Sequence, residues 1–263
     1  MKIAIVGYGK MGHMIADVAR SAGHEIVTTV DTYAYDAKVI IPAGDKSALG
    51  NAILESGAEG IIEFTSPQAV LDNIRALLPL KLPLVVGSTG WDAEKDGISE
   101  LARTCGGTIM HSANFSIGVN LFYKIVEQAA LLVSNFDEYD VALWEMHHNQ
   151  KADSPSGTAL EIANRVLSGN HKKTEIVSGA FHEKPKDFQL HVSSTRCGSV
   201  PGTHTVFFDS EPDSIELKHT ARSRKGFAMG AVHALENLKR LLDAGTLQPG
   251  HLYGMNDVFP EMF

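Results

Sequence analysis

Cysteine is nearly absent: the 263-residue chain has two, Cys105 and Cys197. They make neither a disulfide framework nor a zinc-type spacing, so a reducing compartment is expected. A basic excess is also missing. Acidic side chains outnumber basic ones, 31 to 23, and the formal charge of −8 argues against a general nucleic-acid binder. Small anionic ligands stay admissible, because a local positive site can sit in an acidic surface. No hydrophobic run reaches membrane-spanning length, and the apolar run in Lys2–Val6 is too short for a signal-peptide core. The expectation is a cytoplasmic protein with no membrane partner. Internal repeats and low-complexity tracts are lacking as well. What is present, 44% hydrophobic and 21% charged residues, is ordinary for one large or two medium globular domains.

The first half alternates strand and helix patterns. Lys2–Val6 reads as a buried parallel strand. Gly7-Tyr8-Gly9-Lys10-Met11-Gly12 follows at once, then a helical pattern through Met14, Ile15, Val18 and Ala19. A second strand, Glu25–Val30, ends at Asp31. Strand, G-x-G-x-x-G, helix, strand and acid together form the dinucleotide-binding fingerprint. Asp31 suits ribose hydroxyls and would repel a 2′-phosphate, which favours NADH, with NADPH as the alternative if Lys38 folds back. Residues 32–50 read as irregular and Ala48–Glu55 as a short helix. Strands are expected at Gly60–Thr65, Leu82–Val86 and Gly107–His111, with helices starting at Pro67 and spanning Trp91–Thr104. Thr65-Ser66, Gly87-Ser88-Thr89-Gly90 and Ser112-Ala113-Asn114-Phe115 then lie at strand carboxyl ends, where such sheets bind ligands. They are read as walls of the nicotinamide side, with connecting turns as the plainer alternative.

After Phe115 the pattern changes. Val119–Ser134 reads as a helix, and strands follow at Tyr139–His147, Thr174–Ala180, Phe188–Ser194, Thr203–Asp209 and Ser214–Thr220. Gly226–Asp243 is helical again and is expected to pack back on the first domain. The fold class is therefore α/β: a doubly wound parallel sheet (Rossmann) domain, 1–118 plus 221–263, with a smaller α+β open-sheet domain, 119–220, for substrate and oligomerisation.

Chemistry concentrates in Glu145-Met-His-His-Asn-Gln-Lys-Ala-Asp-Ser-Pro-Ser-Gly-Thr158. An imidazole can transfer a proton near neutral pH, and Lys151 supplies a compact positive charge. Ser156-Gly157-Thr158 opens a helix and offers free N–H groups to an anion. Glu145 either orients His147 or simply fills the strand. If the strand runs on through His148, the two histidines face apart. No third ligand stands at metal spacing, so no metal is expected. Arg196, Arg222 and Arg224 are candidates to hold carboxylate or phosphate, with surface pairing the plainer reading, favoured for Arg222. Glu183-Lys-Pro185 looks like a sugar-oxidoreductase tripeptide but is placed in a loop between strands and set aside. A semialdehyde dehydrogenase would need an activated cysteine, which neither Cys105 nor Cys197 offers. A nucleotide-sensing protein would leave His147 and Lys151 unemployed.

The same stretch resembles the signature of the dihydrodipicolinate reductase family, with Ser154 where alanine is usual. Asn114–Asn120, Gly87–Gly90 and His219–Ala228 are also similar to that family. The tight Gly7-Tyr8-Gly9 loop departs from the longer loop of many members and resembles a compact subgroup. The resemblance implies a two-domain homotetramer that closes over both ligands. It implies NAD(P)H-dependent reduction of a cyclic imine dicarboxylate to tetrahydrodipicolinate, in lysine and diaminopimelate biosynthesis. By position, His147 is the proton donor and Lys151 the second catalytic residue, while His148, Gly157 and Thr158 bind substrate carboxylate. Cofactor contacts fall on Gly7 to Gly12, Asp31, Gly87 to Thr89 and Ser112 to Phe115.

Overall fold

A computed structural model describes residues 1–262 and divides the chain into two units. The first comprises Met1–Ile117 and the chain from Lys225 on; the second is Gly118–Arg224.

The first unit holds a seven-stranded sheet in the order β12-β6-β5-β4-β1-β2-β3, with every neighbouring pair parallel. Its strands are β1 (Lys2–Val6), β2 (Glu25–Asp31), β3 (Val39–Ile40), β4 (Gly60–Glu63), β5 (Leu84–Val86), β6 (Ile109–His111) and β12 (Leu252–Tyr253). Successive side chains of a strand point to opposite faces. Ile3 and Ile5 of β1 therefore enter one core with Ile62, Val85 and Met110, while Ala4 and Val6 enter the other with Ile61, Leu84 and Ile109. Helices α1 (Lys10–Ser21) and α7 (Lys225–Asp243) cover the first face through Ile15, Ala19, Leu235 and Leu238. Helices α2 (Lys46–Glu55), α3 (Val70–Leu77) and α4 (Lys95–Cys105) cover the second through Leu49, Ile53, Ile74 and Ile98. A short α8 (Met255–Val258) closes the first core.

The second unit holds a mixed five-stranded sheet, β11-β10-β7-β9-β8. Its members are β7 (Asp140–His147), β8 (Glu175–Val177), β9 (Gln189–Arg196), β10 (Thr203–Asp209) and β11 (Ser214–Thr220). Helices α5 (Ile117–Val133) and α6 (Gly157–Gly169) share its core, where Phe122, Val126, Ile162 and Val166 meet Val141, Leu143, Val192 and Val206.

The doubly wound parallel sheet and the separate mixed sheet agree with the fold class expected. Several boundaries differ. Residues 32–50 are not wholly irregular: Val39–Ile40 pairs with Val30–Asp31. Helix α2 starts at Lys46, because the Asp45 carboxylate caps Ala48 N–H at 2.9 Å. Pro67 lies in a turn closed on the Ser66 carbonyl, so α3 begins only at Val70. Asp92–Glu94 is a 3₁₀ turn ahead of α4. β8 is only three residues long, and β9 runs on to Arg196.

Candidate active site

Gly7, Phe64 and Gly87 follow β1, β4 and β5 and crowd together at the carboxyl edge of the parallel sheet. A Cβ on Gly7 (φ +93°) would stand 2.2 Å from the Phe64 carbonyl oxygen, and one on Gly12 would stand 2.1 Å from that of Gly7. Gly9, by contrast, has open space where a Cβ would project. This is the division of labour a pyrophosphate cradle requires: two glycines for close packing and one for ligand approach. Gly7, Gly9, Asp31, Tyr33, Thr65 and Ser66 line a cavity of about 600 Å³ at the point where the strand order reverses.

Asp31 is held tightly. One carboxylate oxygen accepts from Tyr8 N–H at 2.6 Å, the other from Tyr33 and Ala34 N–H at 2.8 and 3.0 Å. Burial raises its pKa, but these donors outweigh burial and keep it ionised. It therefore ties the glycine loop to the end of β2 as well as facing the cavity. Lys38 Nζ donates to the Val27 carbonyl at 2.8 Å rather than turning towards Asp31. Of the other residues named for the cofactor, Lys10 and Thr89 are exposed, and Met11 is half-buried at the α1 start. Ser88 Oγ accepts from Thr65 N–H at 2.7 Å. Ser112 Oγ bridges to Asn114 N and O, with Ala113 exposed between them. Phe115 is buried in the core, its carbonyl packed on Gly230. Beneath this rim, fully buried Glu63 accepts from Thr65 and from Asn73 Nδ2.

The second cluster lies wholly in the second unit. On β7, Val141, Leu143, Glu145 and His147 share the buried face. The strand stops at His147, whose carbonyl accepts from Cys197 N–H at 2.8 Å, and a turn follows in which Lys151 N–H donates to the His148 carbonyl. His148 is thus freed from strand alternation and half-buried. Glu145 is completely buried, yet well supplied with donors. Its Oε1 accepts from Ser156 N–H (3.0 Å), Ser194 Oγ (2.8 Å) and Arg196 Nη2 (3.0 Å). Burial pushes its pKa up, but Ser156, Ser194 and Arg196 more than reverse this, so it is a carboxylate. Its Oε2 lies 3.0 Å from His147 Nδ1, out of line for a hydrogen bond.

His147 is drawn below the ordinary imidazole value chiefly by burial. Glu145 pulls the other way, while Lys151 and Arg196 push down with their charge. His204 of β10, the register partner of Glu145, is pushed down to about 4 by burial and by His147. Lys151 Nζ is paired with the Asp153 carboxylate at 2.7 Å. Ser156 caps α6 by accepting from Ala159 N–H, and Gly157 is exposed at the helix start. Thr158, in the first turn of α6, is half-buried.

Arg196 braces the whole segment. Besides Glu145, it donates to the carbonyls of Lys151 and Asp153. Arg222 and Arg224 lie exposed beyond β11, and Glu183–Pro185 is an exposed loop between β8 and β9. In the sequence nothing sets Arg196 apart from Arg224, and His204 and Ser194 carry no signal there. Parallel pairing of His147 with Arg196 and antiparallel pairing of Glu145 with His204 bring them in. The expectation that no third ligand-type residue accompanies His147 fails for the same reason.

Comparison with known proteins covers nearly the whole chain. The family description "Dihydrodipicolinate reductase, N-terminus" matches residues 1–115, and its C-terminal counterpart matches residues 118–259. A 4-hydroxy-tetrahydrodipicolinate reductase of Christiangramia forsetii is 32% identical, over 100% of this chain and 99% of its own. One from Desulfovibrio desulfuricans is 36% identical over 98% of each. Among solved structures, a dipicolinate-bound dihydrodipicolinate reductase from Paenisporosarcina sp. TG-14 superposes with a TM-score of 0.75 at 22% identity, covering 98% of both chains. Two matched halves and relatives similar along their whole length lead to one conclusion: the chain belongs to the dihydrodipicolinate reductase family, and with it to the NAD(P)H-dependent oxidoreductases.

Proposed function

We propose that this protein reduces 4-hydroxy-tetrahydrodipicolinate to tetrahydrodipicolinate in lysine and diaminopimelate biosynthesis, with His147 as proton donor. The observation that carries the reading is one short segment that joins an imidazole backed by a buried carboxylate, an ammonium and a helix start, with the Asp153 carboxylate held between the ammonium and the Gly157 N–H. Gly7–Gly12 would hold the pyrophosphate of a reduced nicotinamide dinucleotide, which when bound would supply hydride; NADH is the preferred form, because Asp31 faces that cavity and Lys38 is engaged elsewhere. The chain's own residues supply the rest. Lys151 and the N–H groups of Gly157 and Thr158 bind a substrate carboxylate, and His148 assists. Asp153 releases Lys151 as that carboxylate arrives. Glu145 keeps a positive charge on His147 tolerable, so the imidazolium can hand its proton to the electron-rich ring left by reduction. Before hydride arrives, the 4-hydroxyl leaves together with a proton from the adjacent ring carbon as water, which creates the conjugated ring; the His147 proton then replaces the one lost at that carbon. The working form is proposed to be a cytoplasmic homotetramer, following the family resemblance.

A coupled assay tests the reading. Purified protein is expected to oxidise NADH, and NADPH less efficiently, only when the product of dihydrodipicolinate synthase is present. Absence of turnover with both cofactors would refute it.

A further inference from the structure

Glu145, His147 and His204 place three ligand-type side chains around one buried point. All three are at least nine-tenths buried, and one donor atom of each lies within 4.8 Å of the other two. Glu145 Oε2 stands 3.0 Å from His147 Nδ1 and 3.6 Å from His204 Nε2. A tetrahedral zinc ion with bonds of about 2.0–2.1 Å holds neighbouring donors about 3.3 Å apart. The same geometry separates the ring centroids of two bound imidazoles by about 5.2 Å, and the His147 and His204 rings are 5.2 Å apart. Among the described residues, Glu145 Oε2 and His147 Nδ1 also lack any aligned hydrogen-bond partner. Glu145 Oε1, meanwhile, is fixed by Ser156, Ser194 and Arg196, the outer support that a ligating carboxylate needs.

We infer that these three residues chelate a divalent cation of the zinc class, and that occupation switches the enzyme off. The positive charge of Arg196 beside Oε1 limits the affinity, which suits a reversible inhibitory ion rather than a resident one. Binding rests on geometry alone. Inhibition rests on the proposed role of His147: with Nδ1 on a metal, the ring can no longer become an imidazolium. Nitrogen donors exclude a hard cation such as magnesium. Burial makes loading slow.

The test uses the full chain and zinc chloride. Competition against a chromophoric zinc indicator is expected to show one ion per chain. Anomalous diffraction at the zinc edge should place it about 2.0–2.2 Å from all three side chains. His204→Asn should weaken binding at least about a hundredfold, the upper end of what loss of a supporting contact costs. Zinc, but not magnesium, should inhibit NADH turnover with slow onset, and a chelator should restore it. Zinc density elsewhere, at Cys197 or beside His24, Glu236 and His233, would overturn the site, as would equal binding by wild type and His204→Asn. Zinc at the three residues with turnover intact would overturn the inhibition. Lack of turnover without zinc would instead count against the proposed reaction and leave the binding result standing.

Discussion

Gly202 faces the ring of His147. A Cβ there would stand 3.0 Å from Nε2 and 3.3 Å from Cδ2. Nε2 is the nitrogen turned away from Glu145, and so the one that would deliver the proton in the proposed reaction. Gly202→Ala is expected to lower kcat by about 10- to 100-fold, as small misplacements of a reacting group do, with substrate KM changing far less; steady-state kinetics decide. His147→Gln removes the proposed donor itself and should cost about 10²–10⁴ in kcat. An unchanged kcat would move the donor elsewhere. Glu63 gives a prediction in pH. Burial raises its pKa above the unfolded value of 4.5, partly offset by Thr65, Ser88 and Asn73. The folded protein therefore holds the neutral acid more tightly than the unfolded chain, and stability falls as pH rises above 4.5. Glu63→Gln lacks this term, so its urea midpoint should gain on wild type between pH 5 and pH 7.5. At this scale the sequence was readable where partners are neighbours, as with His147, Lys151 and Ser156. It was silent where they are not: Arg196 reaches Glu145 from 51 positions away, and His204 reaches Ser156 from 48.

Elements announced themselves in proportion to their length and to the strength of their end signals. β1, α1 and β2 were legible because an apolar run, a glycine loop and an amphipathic helix follow in order. β3 and β12, at two residues each, are too short to carry any periodicity, and sheet pairing alone creates them. Pro67 misled because a turn closed on the Ser66 carbonyl precedes α3. Helix α6 is the element on which the proposed anion site depends. Ser156 caps it and also touches His204 Nε2 at 3.3 Å, inside a fully packed environment. Ser156→Ala should destabilise the second unit by about 1 kcal/mol and raise substrate KM as the first helical turn loosens. Denaturant titration with kinetics on the same sample checks both; a stable variant with normal KM would show that the cap does not shape the carboxylate site.

In the whole molecule, the sites proposed for the two ligands have separate addresses. Hydrogen exchange should therefore separate them. NADH is expected to protect the segments around Gly7–Gly12 and Asp31, and dipicolinate those around His147–Thr158. At a ligand concentration of 100 Kd the stabilisation is about 2.7 kcal/mol. That is a slowing of about a hundredfold for amides exposed only by unfolding of the unit concerned. Protection by dipicolinate confined to the glycine loop would reverse the assignment. The division into units was visible as the change from alternating strands and helices to successive strands near Phe115.

One consequence of that division concerns synthesis. Strands β1, β4, β5 and β6 leave the ribosome early, but α7, which covers Ile3, Ile5, Ile62 and Val85, and β12, which pairs with β6, are made last. The second unit is continuous in sequence and is complete before them. Translation therefore finishes the middle of the protein first, while the nascent amino-terminal sheet waits with one apolar face covered only in part, by α1. Chains terminated after Arg224 keep the part of that face meant for α7 uncovered, which makes them natural clients of chaperones and proteases.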